Sequence, residues 1–132
     1  MESYQVNWRE VAYKMLLSRG LDRLEEEELA PSGKVKYQFS SGGHELPQVL
    51  LALAMDQPHD AASVYYRSRP FMLAAGLKPA DALAAGLARS NRLSEGRDTG
   101  VMYNMARVNG LTVLPASGNV GAQYTPAAGW AQ

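Results

Sequence analysis

Residues 63–77 read SVYYRSRPFMLAAGL, and within this stretch the chain changes from one kind of backbone to another. Ser63 to Tyr66 is short and β-rich. Pro70 to Leu77 is apolar and helical in character, with Pro70 in the first turn, where its missing N–H costs nothing, and Gly76 as the breaker. The junction carries Tyr65-Tyr66-Arg67. Arg67 brings a permanent cation with a planar fork of donors, and Tyr66 sets a hydroxyl beside it. Free N–H groups at the start of the following helix would favour the same kind of ligand, so one reading is an anion site. In the other reading the tyrosines finish a buried strand and Arg67 pairs with a surface carboxylate.

Upstream, Asn7 to Glu10 matches a capping box, with Asn7 accepting from the first turn and Glu10 reaching back. Val11, Met15, Leu16, Leu21 and Leu24 recur at helical spacing, so a long amphipathic helix is expected to about Leu29. Gly20 weakens its middle, and Pro31-Ser32-Gly33 ends it. Glu25 to Glu28 reads most simply as a solvated helix face. Carboxylates are poorly placed near a helix C-terminus, so the same run also fits a basic partner surface. Lys34 to Phe39 alternates loosely and gives way to the flexible junction Ser40-Ser41-Gly42-Gly43. His44 and Glu45 precede a second helix, Leu46 to Met55, with Pro47 in its first turn.

Downstream, Pro58 to Asp60 is a turn, and Ala80 to about Arg89 forms a further helix of alanine and leucine, opened by Lys78-Pro79. Ser90 to Gly110 is polar and without periodicity, as expected of a long loop, functional or mobile. Leu111 to Leu114 reads as a short strand and Pro115 to Gly118 as a tight turn. From Val120 onward small residues dominate, which predicts a helix buried closely against its neighbours. Trp130-Ala131-Gln132 brings no helix-ending signal, so the chain is expected to be truncated.

The 132 residues suffice for one domain with a core of its own. Thirteen basic and 13 acidic residues cancel, so no global field draws the chain to nucleic acid or to a membrane surface. Cysteine is absent, which removes disulfides and thiolate metal sites and fits a reducing compartment. The beginning lacks the basic and apolar segments of a signal peptide. Apolar runs such as Val49 to Met55 fall far below the ~20 residues of a membrane helix. The expectation is a soluble, cytoplasmic chain, or one in an organelle matrix.

Taken in order, Gly43-His44-Glu45, Tyr65-Tyr66-Arg67 and Ser117-Gly118-Asn119-Val120-Gly121-Ala122-Gln123 resemble the N-terminal part of the alpha subunit, or of the alpha-like half of a fused alpha-beta chain, of thiamine diphosphate-dependent 2-oxo acid dehydrogenases. Three ordered motifs are far more specific than one. The resemblance implies an α/β fold of the thiamine diphosphate-binding type, with residues 1–132 an incomplete, mostly helical N-terminal part of a single alpha-type domain. It implies that Tyr66 and Arg67 contact the cofactor diphosphate, and that the backbone of Gly118 and Val120 contacts the aminopyrimidine ring. Glycine suits position 118 because backbone approaches a flat ring most closely without a Cβ; read without the resemblance, Gly118 is an ordinary turn glycine. His44, beside Glu45, is open to a general-base role or to a structural one at the helix start. His59 reads as a solvated turn residue.

The implied reaction is oxidative decarboxylation of a 2-oxo acid, with branched-chain acids slightly preferred to pyruvate, and acyl transfer to lipoyl. The implied partners are the 2-oxo acid, a beta-type subunit or domain that completes the active site, and a lipoyl-bearing acyltransferase component. Two departures stand out. Thr99-Gly100-Val101-Met102 has no histidine where relatives often carry Met-Pro-x-His. The Gly-Asp-Gly segment and later asparagine that hold magnesium are missing, so Mg2+ ligands are expected beyond Gln132. The alternatives are a non-catalytic helical protein-interaction module and another transferase using the same cofactor.

Overall fold

The computed structural model describes residues 5–90, 92–97, 102, 103, 105, 110–115 and 117–132. Helix α1 runs Trp8–Leu24 and continues into a wide π-helical turn, Glu25–Leu29. Asn7 caps it as expected, accepting from the Glu10 amide at 3.2 Å. The Ala30 amide closes the wide turn on the Glu25 carbonyl at 2.8 Å, and Gly33, with φ +71°, ends the helix at the expected place. Helix α2, Glu45–Ala54, and helix α3, Arg69–Ala74, pack against each other and against α1. Helix α4 is Pro79–Gly86 and α5 is Tyr124–Ala131. Strands β1, Ala61–Ala62, and β2, Thr112–Val113, pair in parallel, Ala61 opposite Thr112 and Ala62 opposite Val113. The described architecture is therefore mostly helical, with a small parallel sheet.

Helix α3 is the centre of the core. Phe71, Met72 and Leu73 are buried, and Leu21, Ala52, Val64, Leu77, Tyr103, Leu111 and Val113 belong to the same apolar cluster. Burying each large apolar side chain of α3 contributes about 1.5–3 kcal/mol. A six-residue helix is too short to stand on propensity, so this burial is what forms it. Among the described residues no helix is long and apolar enough to cross a membrane.

A buried ion cluster lies at the first residue of α3. Arg69 donates from Nη1 to Asp22 at 2.6 Å, from Nη2 to Glu25 at 2.5 Å and from Nε to the Tyr103 hydroxyl at 3.0 Å. All four residues are almost wholly excluded from solvent. Burial works against the Arg69 charge, but Tyr103, Glu25 and Asp22 outweigh it and hold the guanidinium more firmly cationic than usual. Burial raises the Glu25 carboxyl, and Arg69 offsets this only in part. Glu25 Oε1 is itself buried and lacks a partner among the described residues. Gly86 lets α4 approach that oxygen: a Cβ there would stand 3.2 Å from it.

Several expectations are corrected here. Glu25 is not part of a solvated face; Glu26 to Glu28 are exposed, but Glu25 turns inward because Arg69 needs a second carboxylate. Leu16 is 72% exposed, because the buried face of α1 follows Val11, Ser18, Leu21 and Asp22 instead. The β-rich run Ser63 to Tyr66 is not the strand. Pairing stops at Ala62, and Tyr65 to Ser68 closes a turn, with the Ser68 amide on the Tyr65 carbonyl at 2.9 Å. Helix α5 buries no residue, since its alanines and glycine carry too little side chain to draw a covering surface. Its tether is the Trp130 indole, donating to the His59 carbonyl at 2.8 Å. The loop expected over 90–110 and the turn over 115–118 fall in part outside the described residues, as does the segment 99–101 where a histidine was sought.

Three outcomes are expected. Arg69→Leu strands two buried carboxylates and should cost about 3–5 kcal/mol in urea unfolding, with Arg69→Lys recovering only part of it. Gly96→Ala should destabilise by roughly 1–3 kcal/mol, since Gly96 has φ +75° and a Cβ would meet the Ala88 carbonyl at 2.8 Å. Burial pushes the Tyr103 phenol up from 10.0 to about 12, against a smaller lowering by Arg69. A raised folded-state value means that this stability is present below pH 10 and is lost as pH rises through about 12. Absorbance titration should show one late tyrosine ionising together with unfolding, and Tyr103→Phe should abolish that late step.

Candidate cofactor site

The turn after β1 presents a run of aromatic rings. Tyr65 and Tyr66 have centroids 3.9 Å apart, and Phe39, from the irregular segment before the Ser-Gly junction, lies 4.6 Å from Tyr66. The Arg67 guanidinium sits 5.5 Å from the Tyr66 ring centre and 5.8 Å from that of Phe39, within the range of cation–π attraction. Its Nη1 donates to the Ser40 carbonyl at 2.5 Å. No carboxylate pairs with Arg67 among the described residues. Nε and Nη2 have no hydrogen-bond partner there.

Gln48 of α2 fixes this turn from beneath. Its Nε2 donates to the Arg67 carbonyl at 2.9 Å and its Oε1 accepts from the Phe71 amide at 3.3 Å. One amide side chain thus ties the turn to the start of α3. Of the N–H groups expected to help at that helix start, Pro70 has none and that of Phe71 is spent on Gln48, which leaves the Arg69 amide.

The second motif reaches the same place. The Tyr65 hydroxyl donates to the Gly118 carbonyl at 2.8 Å, joining segments 53 residues apart. Partial burial, and next the neighbouring Tyr66 hydroxyl, hold the Tyr65 phenol above its ordinary range. Ser117 shapes the turn, its Oγ accepting from the Asn119 amide at 3.3 Å and its carbonyl from Gln123 Nε2 at 3.0 Å. Gly118 has open space where a Cβ would stand, and Val120 is 88% exposed. Tyr66, Arg67 and Gly118 are thus gathered through Tyr65, whereas Val120 projects into solvent.

The Ser40-Ser41-Gly42-Gly43 junction is held at both ends. Asp22 Oδ2 accepts from the Ser41 amide at 2.7 Å and from Ser40 Oγ at 3.2 Å. Glu45 Oε2 accepts from the Gly43 amide at 2.8 Å, while its other oxygen takes Arg19 Nε at 2.8 Å and Arg19 Nη2. Burial opposes the Glu45 charge, yet Arg19 and these amides outweigh it and hold the carboxyl below its usual range. Glu45 is therefore committed to the loop and to Arg19. His44 is exposed at the start of α2 with no side-chain capping bond, and His59 is exposed in its turn.

Sequence reasoning missed Asp22, Arg69 and Gln48. The available signal was the spacing of Asp22 and Glu25, three apart on one helix face, which brings two carboxylates to a single partner.

The donor set fits the diphosphate end of the implied cofactor: a guanidinium with donors unspent among the described residues, an aromatic ledge and, in residues close to that ledge in sequence, the buried polar atoms Gln38 Nε2 and Ser63 Oγ, which have no partner among the described residues. It does not fit magnesium, because no group of three or more metal-ligating side chains occurs among the described residues.

No curated protein and no solved structure matches the chain. A family model described as the dehydrogenase E1 component matches residues 13–132, nearly the whole sequence. That family comprises components of 2-oxo acid dehydrogenases, which generally depend on thiamine diphosphate and work within multienzyme complexes. On this match, which takes in the Gly43, Tyr65 and Ser117 motifs together, the chain belongs to the dehydrogenase E1 component family.

Proposed function

We propose that the chain is the N-terminal part of an alpha-type domain of a thiamine diphosphate-binding fold, and that it supplies part of the cofactor site of a 2-oxo acid dehydrogenase. The observation that carries this reading is the Tyr65 hydroxyl on the Gly118 carbonyl, since it brings two separate motifs together beside a cation that, among the described residues, has donors to spare. Arg67 and Tyr66 would hold the diphosphate, Arg67 through the donors left after Ser40 takes Nη1. The backbone around Gly118 and Val120 would meet the aminopyrimidine. The bound cofactor supplies the electron sink that permits decarboxylation of a 2-oxo acid. The protein groups seen here bind and orient. A beta-type subunit or domain would complete the site. The acyl product would then pass to a lipoyl-bearing acyltransferase component. Magnesium, whose ligands are expected beyond Gln132, receives no role from the described residues.

The test is calorimetric titration of the protein with thiamine diphosphate and, separately, thiamine. Arg67→Ala removes charge-assisted hydrogen bonds worth about 1.5–3 kcal/mol. It should weaken thiamine diphosphate binding roughly 10- to 100-fold while leaving thiamine binding and circular dichroism unchanged. Equal binding of thiamine diphosphate by Arg67→Ala and the unaltered chain would overturn the reading and favour the interaction-module alternative.

A further inference from the structure

We propose that Asp22 is a positioning residue for Arg67: it holds the 40–43 loop so that the Ser40 carbonyl takes one guanidinium nitrogen and leaves the others for an anion. The inference rests on the diphosphate reading of Arg67. Its basis is a continuous set of hydrogen bonds from the buried core to the site. Arg69 Nη1 meets Asp22 Oδ1 at 2.6 Å; Asp22 Oδ2 takes the Ser41 amide at 2.7 Å and Ser40 Oγ at 3.2 Å; the Ser40 carbonyl takes Arg67 Nη1 at 2.5 Å. Ser40 Oγ also accepts from the Gly42 amide at 3.1 Å, so this one hydroxyl braces the loop internally.

The division of labour between the two loop anchors gives Asp22 its particular role. Glu45 secures the Gly43 end, adjoining α2. Asp22 secures the Ser40-Ser41 end, where Arg67 is clamped. Asp22 is 1% exposed and Ser41 is fully buried, so water cannot replace the carboxylate as acceptor for the Ser41 amide. The Phe39 and Tyr66 rings beside Arg67 constrain its distance but not the rotation of its fork. The carbonyl is what fixes that rotation. Asp22 therefore acts on the anion through Ser40 and Arg67, without touching it.

Asp22→Asn is the discriminating change. The amide keeps the volume and can still accept from Arg69, but its NH2 would face the Ser41 N–H, donor against donor. Ser40→Ala is the milder companion, removing the Oγ brace without entering the ion cluster. Both are titrated with thiamine diphosphate, inorganic diphosphate and thiamine, and Asp22→Asn is repeated on an Arg67→Ala background. The expected result is about tenfold weaker binding of both diphosphates by Asp22→Asn, the loss from one misaligned charge-assisted hydrogen bond. Thiamine binding should be unchanged, Ser40→Ala should show a smaller loss, and Asp22→Asn should add nothing once Arg67 is gone. A loss shared by thiamine, or undiminished without Arg67, would make Asp22 merely structural and overturn the proposal. So would diphosphate binding by Asp22→Asn and Ser40→Ala equal to that of the unaltered chain. Should Asp22→Asn not fold, Ser40→Ala decides alone by the same comparison. If Arg67→Ala itself binds diphosphate normally, the underlying reading fails, and that outcome is distinct from normal binding by the Asp22 and Ser40 variants alone.

Discussion

A guanidinium taken out of water must find its hydrogen-bond partners inside the protein, and in this chain the demand falls on Arg69. Desolvating such a cation costs several kcal/mol, repaid only when geometry is good and the partners are themselves ionised or polar. A carboxylate from α1, another from the π-helical turn that continues it, and the Tyr103 phenol meet that demand. Because Arg69 opens α3, satisfying it fixes the depth at which α3 enters the core and the rotation of α1 against it. The apolar packing of Phe71, Met72 and Leu73 then follows from a position already set by charge.

The same cluster reaches toward the candidate site by two routes that share no side chain. Through Asp22 it pins the serines next to Arg67. Through the backbone of α3 it meets Gln48, which holds the Arg67 carbonyl and the Phe71 amide together. Arg67 is thus supported at its main chain and at its guanidinium by different residues. A half-buried cation on a turn needs such double support, since a turn alone leaves a long side chain several rotamers to explore.

Much of the helical layout could be read from local rules, because those rules act locally. The Asn7 cap, the Pro31-Ser32-Gly33 stop, Pro47 and Pro79 in first turns and the Gly76 break each depend on a few neighbouring residues, and each stands where expected. What escaped the reading depended on distant partners. Glu25 looked solvated because Arg69, 44 residues away, is what turns it inward. The strand was misplaced because pairing is decided by residues 112–113 and not by the β propensity of Val64 and Tyr65. At the site, Tyr66 and Arg67 were legible as chemistry. Their link to Gly118 could only be inferred from a family likeness, since it passes through Tyr65 and a backbone carbonyl, which carry no side-chain signature. The buried helix expected from Val120 onward failed for a related reason: small residues permit close approach without specifying by what.

The short parallel pair has a kinetic meaning. Bringing residues 61–62 to 112–113 closes a long loop, at an entropic cost of roughly 3–4 kcal/mol by the logarithmic law. Two-residue strands cannot recover that from their own ladder, so the pair depends on Val64, Leu111 and Val113 already having a core to enter. Folding order follows from this. The contacts among α1, α2 and α3 lie within the first 74 residues and are the cheaper to form. The sheet closes afterward, and with it the segment that brings Gly118 under the Tyr65 hydroxyl. The Tyr65–Gly118 contact is therefore expected to form after the 40–43 loop and Arg67 are already seated on the helices, so the two halves of the candidate site come together in sequence and not at once.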